Sequence, residues 1–526
     1  VTRPTVSQAQ AWRPDSLRDA ADDWYSAAID ARAHTETAVQ GVMSTREFWT
    51  GSAAEAARAQ ALELGHASDT AARAAVLAAV AARDGADEIA SARAEVLALV
   101  ATAHDEGFTV GDDGAVRPHD KPLPLLVALA GGDDDIAGDM LAARAEELSR
   151  QVVAALDRLG AADQDTADDI DEALAIPVLR PPETVPAGAW PVRAGDVVAG
   201  WPAMSQDRIA AQIAAMTADQ RERLVEEFPH EVGNTDGLPW EMRVAANRIN
   251  IAQAILDERD PARAAFYQRL LAEIDDPTRT GLRIDRQILA FDPARASFIE
   301  LNGNLTTAEA VAVLVPGMNT TIEGSAANTS TARRFVAATR GDVAVITYLG
   351  GPFPHGNVVT GVLDAADPRY ALDMAPRLAA FSEDVNRTVD AAARGQGRFV
   401  PITYIGHSYG GSILGTAEAM GLTGDRMLYV AAAGAGVGVG DPGDWHNRNP
   451  DVQRFSMTAP GDLIQAVQGV PGGPHGADPD EMPGVIRLPT GHYDDGRLMA
   501  GPRSHTDVLN WPSDAWRNIL GVITGD

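Results

Sequence analysis

The chain has 526 residues, of which 45% are apolar, and a net charge of −31 from 74 acidic and 43 basic side chains. That length calls for two or three domains, and the apolar share excludes a disordered chain. The acidity argues against nucleic acid and anionic membranes as partners, and the absence of cysteine excludes disulfides and thiolate chemistry.

The opening residues VTRPTVSQAQAWRPDS carry no apolar h-region, so no standard signal peptide is read. The expected location is cytoplasmic, or outside the cell by a non-classical route. The longest uncharged apolar tract, MLYVAAAGAGVGVG from Met427 to Gly440, is too short and glycine-rich to span a membrane.

In chain order, Pro14 to Val42 reads as a helix, with Leu17, Ala21, Trp24, Ala28 and Ala31 on one face. Gly51 ends it, and Ser52 with Glu55 fits a capping box that starts a second helix running to about Ala103. Asp84-Gly85 marks a place where that long helix could break. The Trp49-Thr50-Gly51 bend resembles the WxG turn of the small helical-hairpin proteins of type VII secretion. The resemblance implies that the tryptophan plugs the open end of the hairpin, and it makes the helices a surface for a protein partner. No Tyr-x-x-x-Asp/Glu export tail follows the second helix.

GFTVGDDGAVRP reads as a hairpin turning at Asp113-Gly114. A helix from Asp134 to Leu159 continues as an acidic helical stretch to about Ala175, and the proline-rich tract IPVLRPPETVPAGAWPVRAGD reads as a linker. Further helices fill Ser205–Phe228 and Glu241–Glu273, on either side of the loop VGNTDGLPW. From about Arg286 the pattern changes. QILAFD, ASFIELN, AVAVLVPG, DVAVITYLG, RFVPITYIG, RMLYVAAAG, VQRFSMTAP and GVIRLPTG read as strands, interleaved with helical segments. Near-continuous apolar strands alternating with helices predict an α/β core with a mostly parallel sheet, preceded by a largely α-helical N-terminal region. The expected divisions are a helical hairpin over 1–110; a small hairpin, helices and linker over 111–200; a helical region over 201–284; and the catalytic core over 285–526.

Gly406-His407-Ser408-Tyr409-Gly410 lies between a predicted strand and a predicted helix. A serine there occupies a sharp, strained turn at the carboxyl edge of the sheet. Gly406 and Gly410 let strand and helix approach, and the Tyr409 N–H faces a developing oxyanion. Ser408 is therefore the expected nucleophile, and His407 a supporting residue. An acid and then a histidine should follow in the chain. Asp462 follows a strand and is favoured over Asp441 and Asp444. His505 is favoured over His492, with His475 a third histidine in range. Gly317 frees the backbone after AVAVLVPG to turn toward the site. The N–H of Met318 is the expected second oxyanion donor, and Asn319 adds a side-chain donor or caps the turn.

With these residues placed, the core resembles an uncharacterised actinobacterial family of α/β-hydrolases. Its VPG strand end, GHSYGS elbow, APGD acid loop and sHxxY histidine loop correspond to VPGMNT, GHSYGGS, APGDLI and SHTDVLNW here. The tyrosine after the histidine is missing, with Leu509 and Trp511 nearby. The likeness covers roughly 205–526, strengthens Asp462 and selects His505 over His492. It implies no secure substrate. The expected activity is a serine hydrolase of esterase or lipase type acting on a small or lipid-like ester. The alternatives are a peptidase or amidase using the same site, or a secretion-linked scaffold with an auxiliary core. No cofactor or metal is expected: the zinc helix, calcium loop and phosphate loop are all missing from the sequence.

Overall fold

A computed structural model describes residues 3–118, 127, 131–175, 194–278, 281–356, 367–394, 397–468 and 473–526. Most of the proline-rich tract lies outside the described residues. The chain divides into two compact units, one of Val1–Pro186 with Ala252–Glu258, the other of Ala187–Ile251 with Arg259–Asp526.

The first unit is built on helices Asp15–Ser44, Ser52–Asp105 and Asp134–Leu174, with a short hairpin of β1 (Phe108–Val110) and β2 (Val116–Pro118). Leu148, Val152, Leu156 and Leu159 of the third helix pack with Val96, Val100, Phe108 and Val116. The second helix does not break at Asp84-Gly85. A β-carbon at Gly85 would stand 2.2 Å from the Thr166 side chain, so the glycine serves close approach of two helices. Two further expectations differ. Gly51, with φ of 105°, is itself the cap of the second helix, and no side chain caps it, so Ser52 and Glu55 form no capping box. Trp49 is 40% exposed and does not plug the hairpin; Arg58 donates to its carbonyl instead.

The second unit contains helices Gln206–Ala214, Ala218–Glu227, Pro229–Asn234 and Pro261–Leu271 and the helix Trp240–Asp257 as far as Ile251, then a minor antiparallel pair, β3 (Ile274–Asp275) and β4 (Arg283–Ile284). The end of helix Pro229–Asn234, from Val232, takes up the first residues of what reads in the sequence as the loop VGNTDGLPW. Its eight-stranded sheet comprises β5 (Gln287–Asp292), β6 (Ser297–Asn302), β7 (Ala310–Val315), β8 (Val343–Leu349), β9 (Ile402–His407), β10 (Arg426–Val430), β11 (Gln453–Met457) and β12 (Val485–Arg487). The spatial order is β12-β11-β10-β9-β7-β8-β6-β5, and β6 alone runs against its neighbours.

Strands β7 and β8 are buried along their whole length because helices cover both faces. On one face Phe335 of helix Ala326–Ala338 stacks on Trp516 of helix Asp514–Thr524, with ring centroids 5.1 Å apart. Helices Arg369–Arg394 and Tyr409–Ala419 supply further cover. Arg243, 1% exposed, reaches Asp384 at 2.8 Å and Asp236 at 2.9 Å, and Asp384 also accepts from the Trp240 indole and the Gly237 N–H. A buried cation so fully matched locks the helix at Trp240 to the helix Arg369–Arg394. The pairing of Val315 with Gly406 and of Val430 with His407 brings the carboxyl ends of β7, β9 and β10 to one level.

Candidate active site

Ser408 follows β9 directly and stands before helix Tyr409–Ala419 with φ of 56° and ψ of −122°. A non-glycine residue at positive φ is strained, and the surroundings must hold it there. They do so through three backbone bonds. The Ser408 N–H donates to the Val430 carbonyl at 3.0 Å, while its own carbonyl accepts from Gly411 at 3.0 Å and Ala433 at 2.9 Å. The glycines around it leave the necessary space. A β-carbon at Gly410 would lie 2.2 Å from the Val315 carbonyl, and one at Gly406 would lie 2.7 Å from the Gly410 carbonyl.

His505 sits in the short helix Ser504–Asn510, between the last strand and the last helix. Its Nε2 is 2.9 Å from Ser408 Oγ, and its Nδ1 is 3.0 and 3.1 Å from the two carboxylate oxygens of Asp462. Asp462 is 3% exposed and lies in the loop after β11, where it also accepts from the Ile464 N–H at 3.0 Å. That loop meets the histidine segment through the Gly501 N–H, which donates to Pro460 at 2.8 Å. Ser408, His505 and Asp462, distant in sequence, thus form one hydrogen-bonded line.

His407 supports this line through the backbone. Its Nε2 is 2.7 Å from the His505 carbonyl, and the two rings are 5.1 Å apart. Burial, then the neighbouring His505, pushes the His407 imidazole down to about 4. It is neutral at neutral pH, so Nε2–H donates to the carbonyl and adds no charge beside His505.

Gly317 touches Ser408. A β-carbon there would lie 2.7 Å from Ser408 Cβ, which places Met318 at the rim of the elbow. Tyr409 is the first residue of its helix, a position whose N–H has no intrahelical acceptor. Its phenol is committed elsewhere, donating to the Asp367 carbonyl. Asn319, at φ of 61°, gives its N–H to Pro354 at 2.8 Å and pairs its side chain with the backbone of Gly356. It therefore ties two loops together.

The other sequence-level alternatives lie elsewhere. Asp441 and Asp444 cap the turn Pro442–Asp444, Asp441 accepting from Gly443 and Asp444 from Gly440 and Asp441. His492 is exposed beside Asp514, 3.8 Å away. His475 is buried with its Nδ1 2.9 Å from Ser412 Oγ. One supporting residue had no sequence signal. Arg334, 176 positions before Asn510, donates to that residue's backbone and side chain and so anchors the end of the His505 helix.

Residues 292–471 match the model of a family described as alpha/beta hydrolase. The second unit has an α/β-hydrolase fold. The matched span holds Ser408 and Asp462, while His505 lies beyond it. Similar curated proteins are two uncharacterized proteins of Mycobacterium tuberculosis, from strains CDC 1551 and H37Rv. Each is 29% identical, over 39% of this chain and 36% of the relative. The chain thus spans about a third of the length of the curated relatives it matches. Similar solved structures include an esterase from Pyrobaculum calidifontis (10% identity, TM-score 0.24, 59% of this chain and 97% of that one). Another is a protein titled as a putative dienelactone hydrolase, from Klebsiella pneumoniae (12% identity, TM-score 0.23, 48% of this chain and 98% of that one). The α/β-hydrolase fold is consistent with hydrolytic activity in general. Among the described residues, no helix is long and apolar enough to cross a membrane.

Proposed function

We propose that this chain is a serine hydrolase that cleaves an ester through an acyl-enzyme. The observation that carries the reading is the unbroken line from Ser408 Oγ to His505 Nε2, at 2.9 Å, and from His505 Nδ1 to the Asp462 carboxylate, at 3.0 Å. A serine hydroxyl needs a base, and a histidine base needs a partner that fixes its tautomer. With the carboxylate accepting from Nδ1–H, Nε2 is left unprotonated toward the hydroxyl.

In the first half-reaction His505 Nε2 takes the Ser408 proton as Oγ bonds to the substrate carbonyl carbon. The negative charge moves to the carbonyl oxygen, where the N–H groups of Tyr409 and Met318 are the assigned donors. Collapse of the tetrahedral species breaks the bond to the leaving alcohol, which takes the proton from His505. In the second half, His505 removes a proton from water, the water oxygen attacks the acyl carbon, and the acid departs as Ser408 regains its proton. Asp462 stabilises the imidazolium in both halves. Backbone pinning by His407 keeps Nε2 aimed as its charge alternates.

The ester class follows by analogy with the chemistry this fold most often carries. A fluorophosphonate probe tests the nucleophile: the native chain is expected to be labelled and Ser408→Ala not. Labelling that persists in Ser408→Ala would overturn the assignment. Turnover of p-nitrophenyl butyrate by the native chain, and its loss in the same variant, tests the ester reading.

A further inference from the structure

A second feature of the sheet edge lies away from Ser408. A cavity of about 230 Å³ is lined by Ala290, Ile299 and Phe381, by Tyr348 and Ser297, and by charged residues of the surrounding loops and helices. It is set on β5, β6 and β8, and β8 is separated from β9 by β7. Neighbouring strands lie about 4.8 Å apart, so the cavity is displaced by roughly 10 Å or more from the elbow strand.

Three observations point to a ligand. The Tyr348 side chain is 1% exposed, yet its hydroxyl has no hydrogen-bonding partner among the described residues, although it lines the cavity. Burial, and after it the nearby Asp236 carboxylate, raise its pKa far above the ordinary phenol value, so it stays a protonated donor. With no acceptor in the protein, the hydroxyl is free to donate to a group held in the cavity.

Next, the residue after β8 that carries the cavity wall is Gly350. A β-carbon there would stand 2.3 Å from the Tyr348 oxygen. The glycine keeps the space at the hydroxyl open, and its carbonyl accepts from Arg377 Nη1 at 2.9 Å, which fixes the guanidinium in the cavity wall.

Charge supplies the last observation. The lining holds Arg243, Arg295 and Arg377 against Asp236 and Asp292. Arg243 pairs with Asp236 at 2.9 Å, and Arg295 with Asp292 at 3.5 Å. Arg243 is shared with the buried Asp384 as well, whereas Arg377 has no carboxylate partner among the described residues.

We propose that this cavity binds a small organic carboxylate, its oxygens held by Arg377 and the Tyr348 hydroxyl and its apolar body on Ala290, Ile299 and Phe381. A guanidinium and a hydroxyl lining one cavity can serve the two oxygens of a carboxylate. The single unpaired guanidinium fits a monoanion better than a phosphate dianion. An engineered cavity of about 150 Å³ takes up benzene, so this one has room for a ring with a carboxylate. The proposal does not depend on the chemistry at Ser408.

Benzoate is the probe, titrated calorimetrically into the full native chain, Tyr348→Phe, Arg377→Met and Ser408→Ala. One benzoate per chain is expected, with Kd on the order of 0.1–1 mM for so small a ligand. Tyr348→Phe removes a hydroxyl that bonds to nothing in the protein, so it preserves the fold. It is expected to weaken binding about tenfold, as is Arg377→Met, because each removes one hydrogen bond to a charged group. Ser408→Ala is expected to bind like the native chain. No heat with benzoate would overturn the proposal, as would binding that Tyr348→Phe leaves unchanged or that Ser408→Ala abolishes. Inorganic phosphate binding more tightly than benzoate would overturn the carboxylate assignment.

Discussion

Replacing Gly317 by alanine adds a single methyl group against Ser408, the proposed nucleophile. That carbon would lie 2.7 Å from Ser408 Cβ, 3.2 Å from Ser408 Oγ and 3.3 Å from the His407 carbonyl. Carbon atoms pack at about 3.5–4.0 Å, so the two segments must part by roughly 1 Å. Neither side yields readily. The strained Ser408 is held by backbone bonds to Val430, Gly411 and Ala433, and the Gly317 loop is tied down where Asn319 donates to Pro354. Overpacking of this kind costs about 1–3 kcal/mol of stability. The movement also changes the distance between Oγ and the Met318 N–H, and a misplacement of about 1 Å costs on the order of 10²-fold in rate. The expectation for Gly317→Ala is therefore a fall in kcat/KM of about 100-fold, near 2.7 kcal/mol of transition-state stabilisation, in a chain that still folds. The rate is read on p-nitrophenyl butyrate and the stability by urea denaturation. Repeating the substitution in Ser408→Gly removes the opposing carbon, so most of the stability cost should vanish there, a coupling of about 0.5–3 kcal/mol. A rate within threefold of native, or the same stability cost in both backgrounds, would refute the reasoning.

Asp462→Asn should keep the shape of the site but favour the wrong imidazole tautomer, lowering kcat about 10⁴-fold, while Asp444→Asn and His492→Gln stay near native. Combining Asp462→Asn with Ser408→Ala should cost little more than Ser408→Ala alone, which steady-state rates on the same ester would check. His407 accepts a proton at about 4 in the fold against 6.5 for the free side chain, so the unfolded chain binds that proton first as pH falls. Its contribution to stability therefore drops between pH 6.5 and pH 4, by about 3 kcal/mol, and is level below that. Denaturation of native and His407→Gln protein at pH 7 and pH 4 should show the difference between them shifting by that amount; an unchanged difference would count against it. Gly85→Ala gains helix propensity of about 1 kcal/mol but drives a carbon to 2.2 Å from Thr166, so a net loss of up to about 2 kcal/mol is expected, eased by Thr166→Ala. Hydrogen exchange along helix Ser52–Asp105 would report it.

What the sequence determined by itself is local in origin. Continuous apolar runs such as AVAVLVPG and DVAVITYLG read as strands covered on both faces, and their alternation with helices pointed to a mostly parallel sheet. Gly406, Ser408 and Gly410 announced the elbow because its strain is set by adjacent residues. The same local reading left open a helix break at Gly85 and put a plug at Trp49, since it had no view of Thr166 opposite the glycine or of the solvent around the indole. Only the tertiary structure brought His505 Nε2 to Ser408 while leaving His492 beside Asp514. Strand order and loop contacts decide that choice, as with Gly501 on Pro460 and Arg334 on Asn510, and they join residues too far apart for any spacing rule. The cavity at Tyr348 is of the same kind. Its hydroxyl, the opening left by Gly350 and the uncompensated Arg377 come from separate elements, and they meet because β8 and helix Arg369–Arg394 pack together.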